Sequence, residues 1–430
     1  MIETRFKKTE IGEIPEDWEI HTIREYLTLL TDYDANGSFA DMADNVQTQN
    51  GYGYAWYVRA TDLEQNISLD KVKYVDAKSY NFLKKSSLYG GELLIAKRGD
   101  IGKVYLFTMK TDRATLAPNL YLLKLKESIS CNFLYRYFSS SCGQKSLKGI
   151  NASTSLGAIY KEDVKDLLIP YPSVYEQQRI ATALSDIDAL LSTLNKKIEK
   201  KKLIKQGAMQ QLLSGKKRLI GFTEPWVEKK LGETFKLIGN NTFSREHLST
   251  VGVVSNIHYG DVLIKFHTII DLRKVSLPKI KSKYRLEVRN ALSNGDIIMA
   301  DTAEDNTVGK ACEVWGMTSE LVEAGLHTIV LRPIERFSPM FLGYYLNSAC
   351  YHDKLLPHIQ GIKVSSISKT ALLTTNIFVP IDLSEQTAIA TILSDMDKEI
   401  EQLEAKRAKY EQVKQGMMQQ LLTGKIRLID

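Results

Sequence analysis

Basic and polar side chains recur in the turns of this sequence, in mixtures that suit a polyanionic ligand. Lysine and arginine engage phosphates, while arginine, asparagine and serine can hydrogen-bond to the edges of bases. The residues that we single out as candidates for contact with DNA are Arg59, Lys84, Lys85, Lys97, Arg98, Lys148, Asn151, Ser153, Thr154, Lys363, Ser365 and Ser366. A solvated, lysine-rich surface produces similar runs, so each of these residues keeps that second interpretation.

Motifs for catalysis are missing from the sequence. It has no GxxxxGK[ST] phosphate loop, no HExxH and no GxSxG elbow, and its seven histidines lack the spacing of metal ligands. It also lacks the cofactor loop and tetrapeptide of a methyltransferase and the PD pair of a nuclease. The acidic run "DTAEDN" reads more simply as a solvated turn than as a metal site. We therefore expect a binding protein that is not an enzyme and holds no metal or cofactor. The alternatives are a stand-alone DNA methyltransferase or nuclease, and an assembly scaffold without DNA specificity.

Composition narrows the class of protein. The chain has 430 residues, enough for two or three domains, and 43% of them are apolar, enough for packed cores. Four cysteines without CxxC spacing fit a reducing cytoplasm. The charged N-terminus is not a signal peptide, and no apolar run approaches the ~20 residues of a membrane span. A net charge of +6 permits a polyanionic partner without requiring one.

A long internal repeat organises the chain. When residues 176–220 are aligned with 385–429, 25 of the 45 positions are identical, including "KQG" and "QQLL". Fainter echoes, such as "GELLIA" with "GDIIMA" and "FLYRYFSS" with "FLGYYLNS", extend the repeat to each whole half. Between these landmarks the halves differ, and both show short β-rich runs broken by turn residues. The sequence therefore predicts two similar mixed α/β frames with different fillings.

The repeated segments predict two long helices. Apolar residues step by three and four from Ile180 to Ile198 and from Ile389 to Leu403, as in a coiled-coil seam. Capping residues precede each segment, and Gly215 and Gly424 are the expected stops. The seam needs a partner, and an antiparallel pairing of the two helices is the simplest one. The alternative is that each helix packs only on its own globular half.

Two glycines interrupt these predicted helices at equivalent places, Gly207 and Gly416. A glycine inside a helix costs about 1 kcal/mol relative to alanine. Either the close approach of another backbone or a plain kink would account for them.

In this order and in duplicate, several phrases resemble the specificity subunit of Type I restriction–modification systems. They are "GELLIAKRGDIGK", "IPYPSVYEQQRIA", "IHYGDV", "VPIDLSEQTAIA" and the closing "QQLLTGKIRL", and the resemblance covers the full length of the chain. At the place of "IHYGDV" the first half offers "VRATDL" instead. The phrase adds His258 and Tyr259 to the candidates for DNA contact.

The resemblance implies an α+β fold with pseudo-twofold internal duplication. Two mixed α/β target-recognition domains, 1–172 and 220–381, would be separated by two long antiparallel coiled-coil helices within 173–219 and 382–430. Each domain would read one half of a split double-stranded DNA target, and the helices would set the spacer. The chain would be non-catalytic and cytoplasmic, without contact with a membrane.

The resemblance also implies protein partners. They are two modification (methyltransferase) subunits, which use S-adenosylmethionine, and ATP-driven restriction subunits, on which ATP and Mg are expected. The candidates for the interface with these partners are Gly207, Gln210, Gln211, Gly416, Gln419 and Gln420.

Overall fold

The computed structural model describes residues 4–150, 158–284, 288–361 and 363–429. Contacts divide the chain into unit 1, residues 1–195 with 406–430, and unit 2, residues 196–405. Each unit therefore holds one globular domain, part of the long helix that follows it and part of the other long helix. The predicted domains are continuous segments of the sequence, whereas these units are defined by contacts and each includes parts of both long helices. The units therefore do not test the predicted domain limits, which stay a prediction.

Unit 1 contains thirteen strands among its described residues. They are β1 (Phe6–Thr9), β2 (Gly12–Pro15), β3 (Glu19–Thr22), β4 (Leu27–Asp32), β5 (Thr48–Asn50), β6 (Ala55–Val58), β7 (Lys73–Val75), β8 (Ser87–Leu88), β9 (Leu93–Ala96), β10 (Val104–Leu106), β11 (Ala114–Leu116), β12 (Leu120–Leu125) and β13 (Leu168–Tyr171). They form a four-stranded antiparallel sheet in the order β10-β9-β12-β4 and a five-stranded sheet in the order β5-β7-β6-β11-β8, in which β6 and β11 are parallel. Short two-stranded ladders join β1 to β2 and β13 to β3.

Six helices accompany these strands: α1 (Phe39–Asn45), α2 (Ala60–Glu64), α3 (Ala77–Phe82), α4 (Cys131–Ser139), α5 (Ser141–Gly149) and α6 (Lys161–Lys165). Because side chains alternate along a strand, β9 supplies two cores. Leu94 faces the five-stranded sheet and packs with Trp56 and Leu116. Leu93 and Ile95 face the helices and share a core with α4. The four-stranded sheet is therefore buried on both faces.

The first long helix, α7 (Val174–Leu212), leads into unit 2, whose described residues repeat this plan. Its strands are β14 (Trp226–Lys230), β15 (Phe235–Ile238), β16 (Leu248–Ser249), β17 (Ser255–Ile257), β18 (Ile269–Asp271), β19 (Lys279–Ile280), β20 (Ile297–Ala300), β21 (Thr302–Ala303), β22 (Ala311–Trp315), β23 (Val322–Ala324), β24 (Thr328–Pro333), β25 (Ser365–Ser366) and β26 (Asn376–Pro380). The helices are α8 (Leu231–Thr234), α9 (Phe341–Leu346), α10 (Ala349–Leu355), α11 (Lys369–Leu373) and the second long helix, α12 (Leu383–Leu421).

The two sheets of unit 2 have the orders β15-β24-β20-β22-β18 and β16-β19-β17-β23, and β17 is parallel to β23. Side chains alternate along β20, so this strand also contributes to two cores. Ile298 packs toward β17 and β23, and Ile297 packs toward α9 and the long helices. The predicted frame of two mixed α/β domains is confirmed.

The long helices begin and end where their sequences predict. Each has 39 residues, or about 58 Å at 1.5 Å per residue. Ser173 caps the first through its hydroxyl, which accepts the backbone N–H of Glu176 at 3.2 Å. Gly215 and Gly424, with φ of 70° and 68°, adopt the left-handed conformation just beyond the ends.

Contacts between the helices run antiparallel in each unit. In unit 1, Asp188 of α7 pairs with Lys414 of α12 at 2.7 Å, while Asn195 lies 3.5 Å from Arg407. In unit 2, Lys201 pairs with Glu399 at 2.7 Å, and Lys205, further along α7, pairs with the earlier Asp397. As the residue numbers rise along α7, those of the paired residues on α12 fall, so the predicted antiparallel pairing is confirmed.

A fully buried glutamate ties each globular domain to its long helix. In unit 1, Glu176 accepts the Trp18 indole N–H at 3.0 Å and two hydrogen bonds from Arg427, at 2.7 and 2.8 Å. Arg427 also pairs with Asp17 at 2.7 Å, which lowers the pKa of that carboxyl. The segment that follows the second long helix is thus bound to the first domain.

Unit 2 repeats this tie with equivalent residues. Glu385 accepts hydrogen bonds from Arg218 at 2.6 and 2.7 Å and from the Trp226 indole at 3.3 Å. The duplication therefore extends from the sequence to individual polar contacts.

An aspartate on each long helix makes a second tie. In unit 1, Asp188 binds Arg136 of α4 as well as Lys414. Burial would raise the pKa of Asp188, but hydrogen bonds from these cations outweigh it and hold the pKa below its usual value. In unit 2, the equivalent Asp397 accepts the Tyr344 hydroxyl at 2.8 Å.

Candidate nucleic-acid interface

A parallel pair of strands brings distant candidates to one edge of unit 1. Val58 of β6 lies opposite Leu116 of β11, and the chain leaves both strands at the same end. Arg59 follows β6 directly, and Asn119 comes three residues after β11. The backbone N–H of Lys97 donates to the Asn119 carbonyl at 2.9 Å, which brings in the turn that carries Arg98. We call Arg59, Arg98 and Asn119 edge 1.

The same arrangement recurs in unit 2. Ile257 of β17 lies opposite Ala324 of β23, so His258 and His327 leave at the same end. The backbone N–H of Asp301 donates to the His327 carbonyl at 3.2 Å, as Lys97 does in unit 1. Register therefore matches Arg59 to His258, Arg98 to Thr302 and Asn119 to His327.

Further candidates join this edge of unit 2. The Tyr259 ring meets the His327 ring edge-on, with centroids 5.3 Å apart. Thr302 of β21 pairs with Ser366 of β25, and its hydroxyl lies 3.5 Å from His327 Nδ1. We call His258, Tyr259, Thr302, His327 and Ser366 edge 2. The structure thus unites two predicted segments, 258–259 and 365–366, that are about a hundred residues apart.

A buried aspartate holds an arginine beside each edge. Asp62, whose side chain is fully buried, accepts the Arg59 guanidinium at 2.5 Å, and Arg59 stays partly exposed. At the matching place, Asp261 accepts Arg245 at 2.9 Å, and the Arg245 side chain is 57% exposed. Arginine is the commonest reader of guanine in the major groove, and an aspartate behind it fixes its direction.

His258 is less exposed than Tyr259 and His327. It is buried, and its Nδ1 lies 3.2 Å from the backbone N–H of Gly260. Burial and the nearby Arg245 guanidinium lower the pKa of His258. A neutral ring at this place shapes the edge, while Tyr259 and His327 carry its accessible surface.

Lys97 lies in a buried ion-pair network. Its Nζ is 2.7 Å from Asp32 and 2.6 Å from Asp34, and Lys161 also pairs with Asp32, at 2.8 Å. Burial would raise the pKa of Asp32, but the two lysines outweigh it and lower that pKa. The ammonium is therefore occupied in stabilising the base of edge 1, and the predicted DNA contact of Lys97 stays a prediction with a competing structural role.

The remaining residues predicted to contact DNA differ in exposure, and some lie outside the described residues. Lys84, Lys85, Arg98, Lys148, Lys363 and Ser366 are exposed, and Ser365 is half-buried. Lys85 Nζ donates to the Ala35 carbonyl at 3.2 Å. Asn151, Ser153 and Thr154 lie outside the described residues. Ile159, soon after them, donates its N–H to the Lys97 carbonyl at 3.3 Å, just as Ile367 donates to Asp301 at 2.9 Å.

The candidates chosen from sequence leave out a basic row in unit 2. Lys279 lies in β19, Lys281 follows that strand, Lys283 lies in the turn after it, and the intervening Ile280 is buried. Lys283 lies 4.7 Å from the centre of the Tyr284 ring, which also meets His247 at 4.7 Å. The three closely spaced lysines of "KIKSK" are the signal that could have identified this row. Such a row suits phosphates.

The partner-interface candidates lie in the second half of each long helix and differ in exposure. Gln210, Gln211, Gln419 and Gly416 are exposed, and Gly207 and Gln420 are half-buried. A Cβ added at Gly207 or Gly416 would meet no described atom within 4 Å beyond the adjacent backbone. The close approach of a backbone, one of the two explanations for these glycines, is therefore not made by the described part of this chain.

The described residues contain no group of three or more histidine, cysteine, aspartate or glutamate side chains that could hold a metal ion. No helix among them is long and apolar enough to cross a membrane.

Comparison with known proteins gives consistent matches. The family model of the type I restriction modification DNA specificity domain matches twice, over residues 15–203 and 223–412. The type I restriction enzyme MjaVIII specificity subunit of Methanocaldococcus jannaschii is 28% identical over 445 residues, covering 99% of this chain and 97% of that protein.

Solved structures share the fold. The S subunit of a type I restriction–modification system from M. genitalium has a TM-score of 0.55 at 14% identity, covering 94% of this chain and 96% of that one. A chain from a study of complex assembly and conformational transition of the type I R-M system has a TM-score of 0.55 at 15% identity, covering 96% and 99%.

Proposed function

The chain belongs to the type I restriction–modification DNA specificity family, and from that premise we propose that edge 1 and edge 2 each read one half of a bipartite DNA target. In this proposal the chain performs no catalysis. It supplies sequence specificity, and the long helices set the spacing between the half-sites.

One observation carries this proposal: the two edges have the same backbone frame and different side chains. Arg59 in unit 1 stands where His258 stands in unit 2, and Asn119 stands where His327 stands. Because the backbone holds the side chains of edge 1 and edge 2 in the same way, the chemistry of those side chains decides which bases each edge accepts. The two edges carry different side chains, so we expect the two half-sites to differ in sequence.

The test is a selection of binding sites from random DNA. The probe is the full chain assembled with its modification subunits, and the DNA carries random blocks separated by spacers of several lengths. We expect two unlike half-sites at one fixed spacing. Recovery of a single uninterrupted sequence, or of no sequence preference, would contradict the proposal.

We propose further that the helices dock two modification subunits on equivalent faces. Ile204 and Val413 occupy the same place in the repeat, and both are exposed, at 45% and 41%. Each lies three residues before Gly207 or Gly416, hence on the same helix face. An exposed apolar residue beside a glycine with empty space above it suits a partner helix packed closely there.

Two equivalent faces allow an internal control. Gly207→Leu and Gly416→Leu should each reduce bound modification subunits from two to one, and the double variant should bind none. Leucine is a better helix former than glycine by about 1 kcal/mol, and nothing described obstructs it, so the free chain should stay folded. Native mass spectrometry counts the subunits. Two bound subunits in the double variant would exclude these faces.

The remaining parts of the assembly follow from the same premise. S-adenosylmethionine is expected on the modification subunits, and ATP and Mg on restriction subunits, with none bound by this chain. Equilibrium dialysis of the isolated chain against labelled S-adenosylmethionine tests this, and saturable binding would contradict it.

A further inference from the structure

We propose that Asn119 and His327 are the matched specificity-determining residues of the two edges, each contacting base edges of its own half-site. This inference rests on the proposed function and adds residues that sequence patterns do not identify. The ligand is the donor and acceptor pattern of a base pair, presented in a groove of double-stranded DNA.

The first support is the backbone at these two positions. Asn119 and His327 have φ of 74° and 55°, in the left-handed region that residues other than glycine seldom adopt. Among the described residues only Asn66 and Met340 share this feature without being glycine. Two of the four thus occupy equivalent places in the duplicated frame. Strained conformations persist where the surroundings impose them, most often at functional sites.

The second support is that each residue accepts a backbone hydrogen bond from an equivalent residue of its own unit. The carbonyl of Asn119 accepts the Lys97 N–H, and the carbonyl of His327 accepts the Asp301 N–H. Both acceptors follow a parallel strand pair, and both donors begin the turn that closes the edge. The left-handed residue is therefore fixed in position by secondary structure on two sides, as a reading residue needs to be.

The third support is the availability of the side chains. Asn119 is exposed, and its amide has no hydrogen-bond partner within the described ranges. The His327 side chain is 46% exposed. Its Nδ1 lies 3.4 Å from Asp301, and Tyr259 packs against the ring, while Nε2 makes no hydrogen bond to the part of the chain that the structure describes. Each residue thus presents unused polar atoms in a fixed place.

The chemistry of the two side chains predicts different readings. An asparagine amide offers one acceptor and two donors, which match adenine N7 and N6 in the major groove. The free Nε2 of a histidine held at Nδ1 offers a single donor or acceptor, which suits guanine N7 or O6 when it donates. Equivalent positions with unlike chemistry are what a bipartite asymmetric target needs.

Glycine substitutions test this inference without confounding it by misfolding. Asn119→Gly and His327→Gly remove the polar atoms at positions whose left-handed backbone glycine adopts readily, which offsets the greater freedom of glycine in the unfolded chain, so both variants should stay folded. Asn66→Gly is the matched control, since Asn66 has a φ of 47° and lies in the same unit, where it accepts a hydrogen bond from Lys110.

The readout is the binding selection described above, made with the assembled complex. Asn119→Gly should lower discrimination at a base pair of one half-site about 10- to 100-fold, and His327→Gly should do so in the other half-site only. Asn66→Gly should change neither. Unchanged preferences in both variants, or relaxation of both half-sites by one variant, would overturn the inference. If the wild-type complex shows no half-sites, the proposed function itself fails, which is a distinguishable result.

Discussion

Replacing Arg427 by alanine should destabilise unit 1 strongly, because it leaves a buried carboxylate without its cation. The Glu176 side chain is fully buried and that of Arg427 only 10% exposed. Breaking one partner of a buried ion pair costs about 3–5 kcal/mol. The second pair, with the 62% exposed Asp17, adds little, since exposed pairs contribute about 0–1 kcal/mol.

The loss is large enough for calorimetry. A domain of this size loses about 2–4 °C in melting temperature per kcal/mol, so a shift of roughly 6–20 °C is expected. Hydrogen exchange by mass spectrometry should place the loosened amides in unit 1. Arg218→Ala is the matched control, because Arg218 holds Glu385 in the same way and should loosen unit 2 instead.

A double variant decides whether the stranded charge is the cause. Glu176→Gln removes that charge, so the double variant with Arg427→Ala should be more stable than the sum of the two losses indicates. A loss below about 1 kcal/mol in Arg427→Ala, or simple additivity in the double variant, would show that an unpaired buried charge on Glu176 is not the cause.

Three further predictions concern spacing, pH and salt. Four residues inserted after Asn195 and after Ala405 should lengthen each helix by about 6 Å and the DNA spacer by roughly one or two base pairs, with both half-sites unchanged in a binding selection; an unchanged spacer with full binding would contradict this. Burial raises the pKa of Glu313 to about 7, so the folded state binds more protons than the unfolded state between pH 4.5 and 7. In urea unfolding, the contribution of Glu313 to stability should therefore fall by about 3 kcal/mol as pH rises through that range, measured as the difference between the pH profiles of the unaltered chain and of Glu313→Gln, and parallel profiles would contradict it. Binding by the assembled complex should weaken about 10³- to 10⁵-fold between 50 and 200 mM salt if ~6–10 phosphates are contacted, and a flat response would exclude phosphate contact by these loops.

Local signals made the long helices predictable. The caps before Val174 and Leu383, the apolar seam and the glycines at the ends all act within a few residues, and the observed limits follow them closely. Antiparallel pairing was also predictable, because each seam needed a partner and the chain offers an equivalent one.

The candidate site was less predictable, because it depends on contacts that sequence does not show. Arg245 gains its place from Asp261, and Asn119 and His327 gain theirs from a parallel pairing of strands that are far apart in the chain. For Lys97 the sequence points the other way. A lysine in a turn suggests a side chain free to contact DNA, but the fold places Asp32, 65 residues earlier, against its ammonium group. Basic residues in loops can thus be found from sequence, and their availability cannot.

Each domain should read its own half-site at either of the two positions in the chain. The direct test replaces residues 223–381 with a second copy of residues 15–172, in the full chain assembled with modification subunits. The imported Trp18 would meet Glu385, which stands on α12 where Glu176 stands on α7, so the copy has its tie to the helix. A binding selection should recover one half-site twice, as an inverted repeat with the original spacer. Recovery of the original asymmetric target would contradict it.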